Sequence, residues 1–152
     1  MGKAAIKSTA KKAGDLFLTG GFCCAESVLT ALAEAKSIKS DIIPRIATGM
    51  CSGMSRTSRT CGALNGAILG LGLTYGRMTP DDDREYLYAL VQELFQRFTE
   101  KYGTTLCHEL IGCDLNTEEG QKYFVDNNLD PKCQQITSDA TEIAMVLLEE
   151  GV

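Results

Sequence analysis

The sequence has no excess of basic residues and no long hydrophobic run. Its 152 residues carry 15 Lys and Arg against 20 Asp and Glu, a formal net charge of −5 at pH 7. This balance argues against general nucleic-acid binding, which requires a basic face. No apolar stretch reaches the roughly 18 residues that a membrane-spanning helix needs. Lysines scattered through residues 3–12 interrupt any hydrophobic segment of the secretory-signal kind, so we expect a cytoplasmic protein.

Histidine and the familiar metal-binding cysteine spacings are scarce as well. His108 is the only histidine and follows Cys107 directly, but neighbouring helical residues point about 100° apart, so we expect a surface or capping histidine. No CxxC occurs, and no spacing matches a zinc finger or a ferredoxin. Cysteine itself is abundant, which favours metal, cluster or redox-thiol chemistry over a secreted disulfide scaffold. The seven are Cys23, Cys24, Cys51, Cys61, Cys107, Cys113 and Cys133.

Strand-type alternation is absent, whereas apolar residues recur with helical spacing along most of the chain. Thr79 and Pro80 predict the start of a long core helix that ends at Gly103. Residues 49–60 are predicted to be a loop. With 44% hydrophobic residues and no linker or repeat, the chain is predicted to be one all-α domain, residues 1–152, of about seven or eight helices. They are predicted at residues 3–18, 23–35, 41–48, 61–75, 79–102, 104–111, 117–127 and 130–149.

Glycines recur every four residues in the helix that follows Cys61. Gly62, Gly66 and Gly70 therefore share one helical face, and that face is almost bare of side chains. Each glycine costs a helix about 1 kcal/mol relative to alanine. The pattern predicts that another backbone approaches this face closely, either within the chain or from a partner helix or a second copy.

Four cysteines share one local placement, in the first turn of a predicted helix and on or near its apolar side. Free N–H groups and the helix dipole favour a thiolate there. If the four helix starts converge, the thiolates suit an iron–sulfur cluster, a Cys₄ zinc site or a disulfide couple. Cys61, with Thr60 as N-cap, is then the predicted attacking thiolate in the metal-free case. The four are Cys24, Cys61, Cys107 and Cys133.

The other three cysteines have weaker signals. Cys23 begins the polar row of its helix, so we interpret it as incidental and place the function at its neighbour, Cys24. Cys51 and Cys113 lie in or beside predicted loops, where each offers a resolving thiol or a substitute ligand but is more often without a role.

Three segments together resemble the C-GCAxxG-C-C family of redox-active proteins. They are residues 21–29 (GFCCAESVL), 60–67 (TCGALNGA) and 105–115 (TLCHELIGCDL), and a cysteine before the last apolar helix completes the pattern. The resemblance extends from about residue 15 to 148. The loop before Cys61 is often glycine-rich in the family, and here it contains serine, methionine and arginine instead.

The resemblance implies a redox role, with no particular reaction, through four recurrent cysteines: Cys24, Cys61, Cys107 and Cys133. Cys113 is the rival for the last place. A similar domain in split-Soret cytochromes is associated with iron–sulfur binding through cysteines. Haem does not carry over, because the sequence has no CxxCH site.

Three hypotheses follow. The protein is an electron-transfer or redox-sensing protein whose cysteines bind an iron–sulfur cluster or another metal, and it needs a redox partner protein. Alternatively, it is a metal-free thiol–disulfide protein that uses the same cysteines. The third hypothesis is a non-catalytic interaction module whose glycine face docks a partner helix or forms a homodimer.

Overall fold

A computed structural model describes residues 2–152 of the chain, which form eight α-helices and one 3-10 helix. Within this range there is no strand, and one isolated bridge joins Thr60 to Leu106. The all-α prediction is confirmed. The helices are α1 (Lys3–Leu18), α2 (Cys24–Ala35), the 3-10 helix (Arg45–Met50), α3 (Cys51–Arg56), α4 (Gly62–Tyr75), α5 (Glu85–Tyr102), α6 (Cys107–Ile111), α7 (Glu118–Asp126) and α8 (Asp130–Glu150).

The glycine-rich helix α4 lies at the centre of the fold, and α2, α5 and α8 pack around it. Its first six residues are all buried, while α1 lies along the outer side of α8. The predicted apolar stripe of α5 is confirmed, because Leu90, Leu94 and Phe98 are fully buried in the core. Within the described residues no helix is both long and apolar enough to cross a membrane.

The glycine face of α4 packs directly against α2. A Cβ added at Gly66 would lie 2.5 Å from the carbonyl oxygen of Ala25, and one at Gly70 would lie 2.3 Å from Leu32 Cδ1. The predicted close approach is therefore real, and it occurs within the chain. Since α2 occupies this face, docking of a partner helix or a second copy at the glycines is ruled out.

Three predicted helix boundaries were wrong. The helix predicted at 104–111 begins only at Cys107, because residues 104–106 are not helical. Residues 41–44 form a turn, and the helix expected at 41–48 is instead the 3-10 helix Arg45–Met50. The core helix starts at Glu85 and not at Thr79, because Asp82 accepts hydrogen bonds from the Met78 and Thr79 N–H groups and holds them in a turn. The Asp83 carboxylate then accepts from the first N–H groups of α5. These two carboxylates cap backbone, as their sequence position indicated.

The segment predicted as a loop before Cys61 contains α3, which is wound in the left-handed sense. Ser52, Gly53, Met54 and Ser55 all have φ between 57° and 64°. Gly53 packs on Cys107, where an added Cβ would lie 2.6 Å from Cys107 Cβ. Left-handed backbone costs a non-glycine residue roughly 1–2 kcal/mol. Three of the four residues in this turn are therefore non-glycine residues held in a backbone conformation that favours glycine.

Replacing Met54 with glycine should stabilise the protein by about 1 kcal/mol, because it relieves left-handed strain at φ 64° and removes a partly exposed side chain. Thermal unfolding measures the change. Met78→Gly is the matched control, since Met78 is 92% exposed and lies outside the positive-φ positions. The control should leave stability unchanged or lower it. Equal effects of the two substitutions would show that the backbone at Met54 is not strained.

Candidate functional site

A cavity of about 290 Å³ lies where α2, α4, α6 and α8 begin. Phe17 of α1 and Phe124 of α7 contribute to its apolar wall. All seven cysteines of the protein are free thiols. Five of them line this cavity: Cys23, Cys24, Cys61, Cys107 and Cys133. The structure therefore brings together the four cysteines selected from the sequence, whose role as ligands stays a prediction.

Each of the four lies at the start of a different helix. Cys24 is the first residue of α2, Cys107 is the first residue of α6, and Cys133 lies in the first turn of α8. Cys61 is itself the N-cap of α4, a place that the sequence had assigned to Thr60. The Cys61 side chain makes no capping hydrogen bond, but the backbone N–H groups of Ala63 and Leu64 favour negative charge on its thiol and so lower its pKa.

Burial outweighs this stabilisation in the metal-free protein. It raises the pKa of Cys61 to about 11, although the nearby N–H groups of Ala63 and Leu64 act in the opposite direction. Burial likewise raises the pKa of Cys107 to about 11 and that of Cys133 to about 12, with smaller contributions from the neighbouring thiols. The prediction that helix starts lower these pKa values was therefore wrong, because a buried anion loses more hydration than the N–H groups replace.

Cys113 and His108 lie beside the cavity. Cys113 is not one of the described residues that line the cavity. Its half-buried thiol nevertheless contributes to the raised pKa values of both Cys107 and Cys133. The Nδ1 atom of His108 lies 3.2 Å from the carbonyl oxygen of Ser58. His108 is thus placed to fix the loop before Cys61, in agreement with a capping histidine.

Thr137, a residue of the cavity wall, has a buried hydroxyl without a partner among the described residues. Thr137 lies one helical turn after Cys133, lines the cavity and has no exposed surface. Its Oγ1 atom makes no hydrogen bond to any part of the chain that the structure describes. An unsatisfied buried hydroxyl costs about 1–3 kcal/mol. This donor is consistent with a polar or anionic group bound in the cavity.

Gly62 provides the room for one of the thiols. A Cβ at this position would lie 2.3 Å from Cys24 Sγ and 3.0 Å from the carbonyl oxygen of Met50. The thiol of Cys24 therefore occupies the space that any side chain at residue 62 would fill. Cys61 thus contributes its own thiol to the cavity wall, and Gly62 leaves room for the thiol of Cys24.

A different group of ligand atoms is the most compact in the described chain. Cys23 Sγ, Cys51 Sγ and a carboxylate oxygen of Glu26 all lie within 4.8 Å of one another, and this group could hold a metal. Within residues 2–152 no other set of three cysteine, histidine or acidic side chains meets that limit. Sequence reasoning missed it, because Cys23 and Cys51 had no helix-start signal on an apolar side.

The cysteine placement corresponds to a known pattern. Residues 22–147 match the model of a protein family described as "Putative redox-active protein (C_GCAxxG_C_C)". The chain belongs to this family. In the present member of the C-GCAxxG-C-C family, the matched residues contain all seven cysteines and all of α2 to α7. Five of the seven cysteines inside the matched residues line one cavity.

One curated relative resembles this family member over most of its length. It is an uncharacterized protein of Archaeoglobus fulgidus, 30% identical over 137 residues, which cover 84% of this chain and 85% of the relative. No solved structure matches the chain.

Proposed function

We propose that the cavity binds an iron–sulfur cluster and that the protein serves in electron transfer or redox sensing. Cys24, Cys61, Cys107 and Cys133 would be the ligands. The observation that carries the proposal is the arrival of four thiols, from four helix starts, at one cavity. The cluster would supply one-electron chemistry, and the helices would hold its ligands in place.

The spacing of the thiols favours a cluster over a single ion. Four thiolates around one zinc ion lie about 3.8 Å apart, as tetrahedral geometry with a bond length of about 2.3 Å requires. No three of the four cavity thiols are within 4.8 Å of one another in the described structure. The cavity that these thiols help to line has a volume of about 290 Å³, which is room for a polynuclear centre.

A metal centre in the cavity would have to displace protons from its thiols. Cys61, Cys107 and Cys133 all have raised pKa values, so each is neutral near pH 7 when nothing binds them. Iron favours the thiolate form directly. The N–H groups at the start of α4 would then stabilise the Cys61 thiolate further.

The same pKa values disfavour the metal-free alternative. A thiol–disulfide protein needs an attacking thiolate near neutral pH. With a pKa of about 11, Cys61 supplies only about one thiolate in ten thousand at pH 7. The non-catalytic interaction module also loses support, because its docking surface, the glycine face of α4, is covered by α2.

Metal and sulfide analysis of anaerobically purified protein tests the proposal. We expect iron and acid-labile sulfide in equal amounts, with a broad visible absorbance that bleaches on reduction. A colourless protein with seven free thiols after anaerobic reconstitution would overturn it. Zinc without sulfide would assign the cavity to a structural metal instead.

Thr137 allows a finer test of what fills the cavity. Thr137→Val removes the hydroxyl and keeps the shape, so a hydrogen bond from Oγ1 to a cluster or ligand sulfur is lost. Because such a bond stabilises the more negative, reduced state, the reduction potential should fall by about 50 mV, equivalent to roughly 1 kcal/mol for one electron. Protein-film voltammetry or a redox titration measures the shift.

The metal-free Thr137→Val protein should be as stable as the parent or more so, since the hydroxyl has no partner among the described residues. Thr141→Val is the matched control. Thr141 is equally buried, but its hydroxyl donates to the carbonyl oxygen of Thr137 at 2.8 Å. The control should lose stability without moving the potential. A potential that shifts equally in both variants would contradict a hydrogen bond from Thr137 to the centre.

A further inference from the structure

Cys23, Glu26 and Cys51 form a compact ligand group at the edge of the cavity, which we call the rim site. Cys23 is the N-cap of α2, Glu26 lies in the first turn of that helix, and Cys51 is the first residue of α3. We propose that the rim site binds one thiophilic divalent cation of the Zn²⁺ type through these three residues, next to Cys24, whose thiol interacts with that of Cys51. This proposal does not depend on an iron–sulfur cluster.

The distances fit a single ion. Two thiolates and a carboxylate around tetrahedral zinc have sulfur–sulfur and sulfur–oxygen separations of about 3.5–3.8 Å. The three ligand atoms of the rim site already lie within 4.8 Å of one another, so small side-chain shifts would close the site. Cys23 is exposed, and an ion can therefore reach the group from solvent. A water molecule would complete the coordination, as in zinc sites with three protein ligands.

The carboxylate is held in position before any ion binds. Glu26 Oε1 accepts a hydrogen bond from the Cys23 N–H at 2.9 Å, and Oε2 accepts one from the Thr48 hydroxyl at 2.7 Å. An ionised carboxylate has further lone pairs free for an ion. Outer hydrogen bonds of this kind orient metal ligands and increase affinity.

The charge and proton balance of the step is simple. The cation replaces the two thiol protons, which leave to the buffer, and two metal–sulfur bonds form while the carboxylate binds as the anion it already is. Two thiolates, one carboxylate and one divalent cation leave a net charge of −1. The guanidinium of Arg56, which acts electrostatically on Cys23, offsets that charge.

Occupation of the rim site would join two elements of the cavity wall. An ion there fastens the first turn of α2 to the start of α3. Cys23, Ser52 and Arg56 all contribute to the cavity lining, so the ion also fixes one side of its opening. The rim site would therefore restrict movement at the point where small molecules reach the cavity.

Zinc titration of the full chain tests the rim site, with a chromophoric chelator as competitor under anaerobic conditions. Cys51→Ser and Cys23→Ser should each weaken one zinc-binding event by about 100-fold. Loss of a residue that only supports a ligand already costs up to about 100-fold in metal affinity, so loss of a ligand itself should cost at least as much. Binding should release two protons per zinc in the parent protein and one in either variant. Serine at residue 23 is a preferred N-cap, so that variant should keep its stability.

Two further variants complete the design. Glu26→Gln keeps the hydrogen bond to the Cys23 N–H, because glutamine also serves in a capping box, but it removes the charge, and zinc binding should weaken by about 10-fold. Cys133→Ser is the control, since Cys133 lines the cavity and is not part of the rim site. It should leave the rim-site affinity unchanged.

The proposal is overturned if Cys23→Ser, Cys51→Ser and Glu26→Gln all bind zinc like the parent protein. It is also overturned if Cys133→Ser weakens the same binding event as strongly, because the ion would then sit among the cavity thiols. Iron and sulfide content is a separate measurement, so loss of the cavity centre and loss of the rim site are distinguishable.

Discussion

Replacing Cys61 with serine should abolish cluster assembly while the helical fold remains. Anaerobically reconstituted Cys61→Ser protein should hold at least ten times less iron and sulfide than the parent, because one of four thiolates is lost at the best-stabilised position. Serine is a preferred N-cap, and the N–H groups of Ala63 and Leu64 are available to its hydroxyl. Thermal unfolding of the metal-free variant should therefore match the parent within about 1 kcal/mol.

The same assay decides which cysteine is the fourth ligand. Cys133 lines the cavity and Cys113 does not, so Cys133→Ser should lose the cluster and Cys113→Ser should keep most of it. Full iron content in Cys61→Ser would remove Cys61 from the ligand set. If Cys113→Ser lost the iron and Cys133→Ser kept it, Cys113 and not Cys133 would be the fourth ligand.

Gly66→Ala should cause the largest loss of stability of any single methyl addition in α4. The new Cβ would lie 2.5 Å from the Ala25 carbonyl oxygen and 3.0 Å from Ala25 Cα, and backbone cannot rotate away as a side chain can. We expect a loss of about 3 kcal/mol, the upper end of ordinary overpacking, which lowers the melting temperature by about 10 °C in a chain of this length.

Gly72→Ala in the same helix is the matched control. A Cβ at residue 72 meets nothing within 4 Å in the described chain. Alanine should therefore raise stability by up to about 1 kcal/mol through its better helix propensity. If the two substitutions had similar effects on thermal unfolding, the packing of α4 on α2 would not be as close as the structure indicates.

Local signals were enough to predict most of the helices. Gly103 ends α5 in the left-handed conformation, and the Thr117 hydroxyl accepts from Gly120 N at the start of α7. Each of these features involves residues at most four apart, so the sequence contains the whole cause. The glycine spacing likewise predicted a close approach, because the bare face is a local property of one helix.

Features that depend on tertiary contacts were not predictable. The left-handed turn of α3 requires Gly53 to pack on Cys107, more than fifty residues away. Cys51 lies beside Cys23 and Glu26 although more than twenty residues separate them in the chain, so the spacing of the cysteines did not indicate the rim site.

The contact between Gly62 and Cys24 sets a condition on how the sequence can change over evolution. The thiol at residue 24 and a side chain at residue 62 compete for the same volume, since their atoms would be 2.3 Å apart. A substitution at residue 62 is therefore tolerated only after residue 24 has become smaller. The two positions should covary, with side chains appearing at residue 62 in those descendants that no longer keep a cysteine at residue 24.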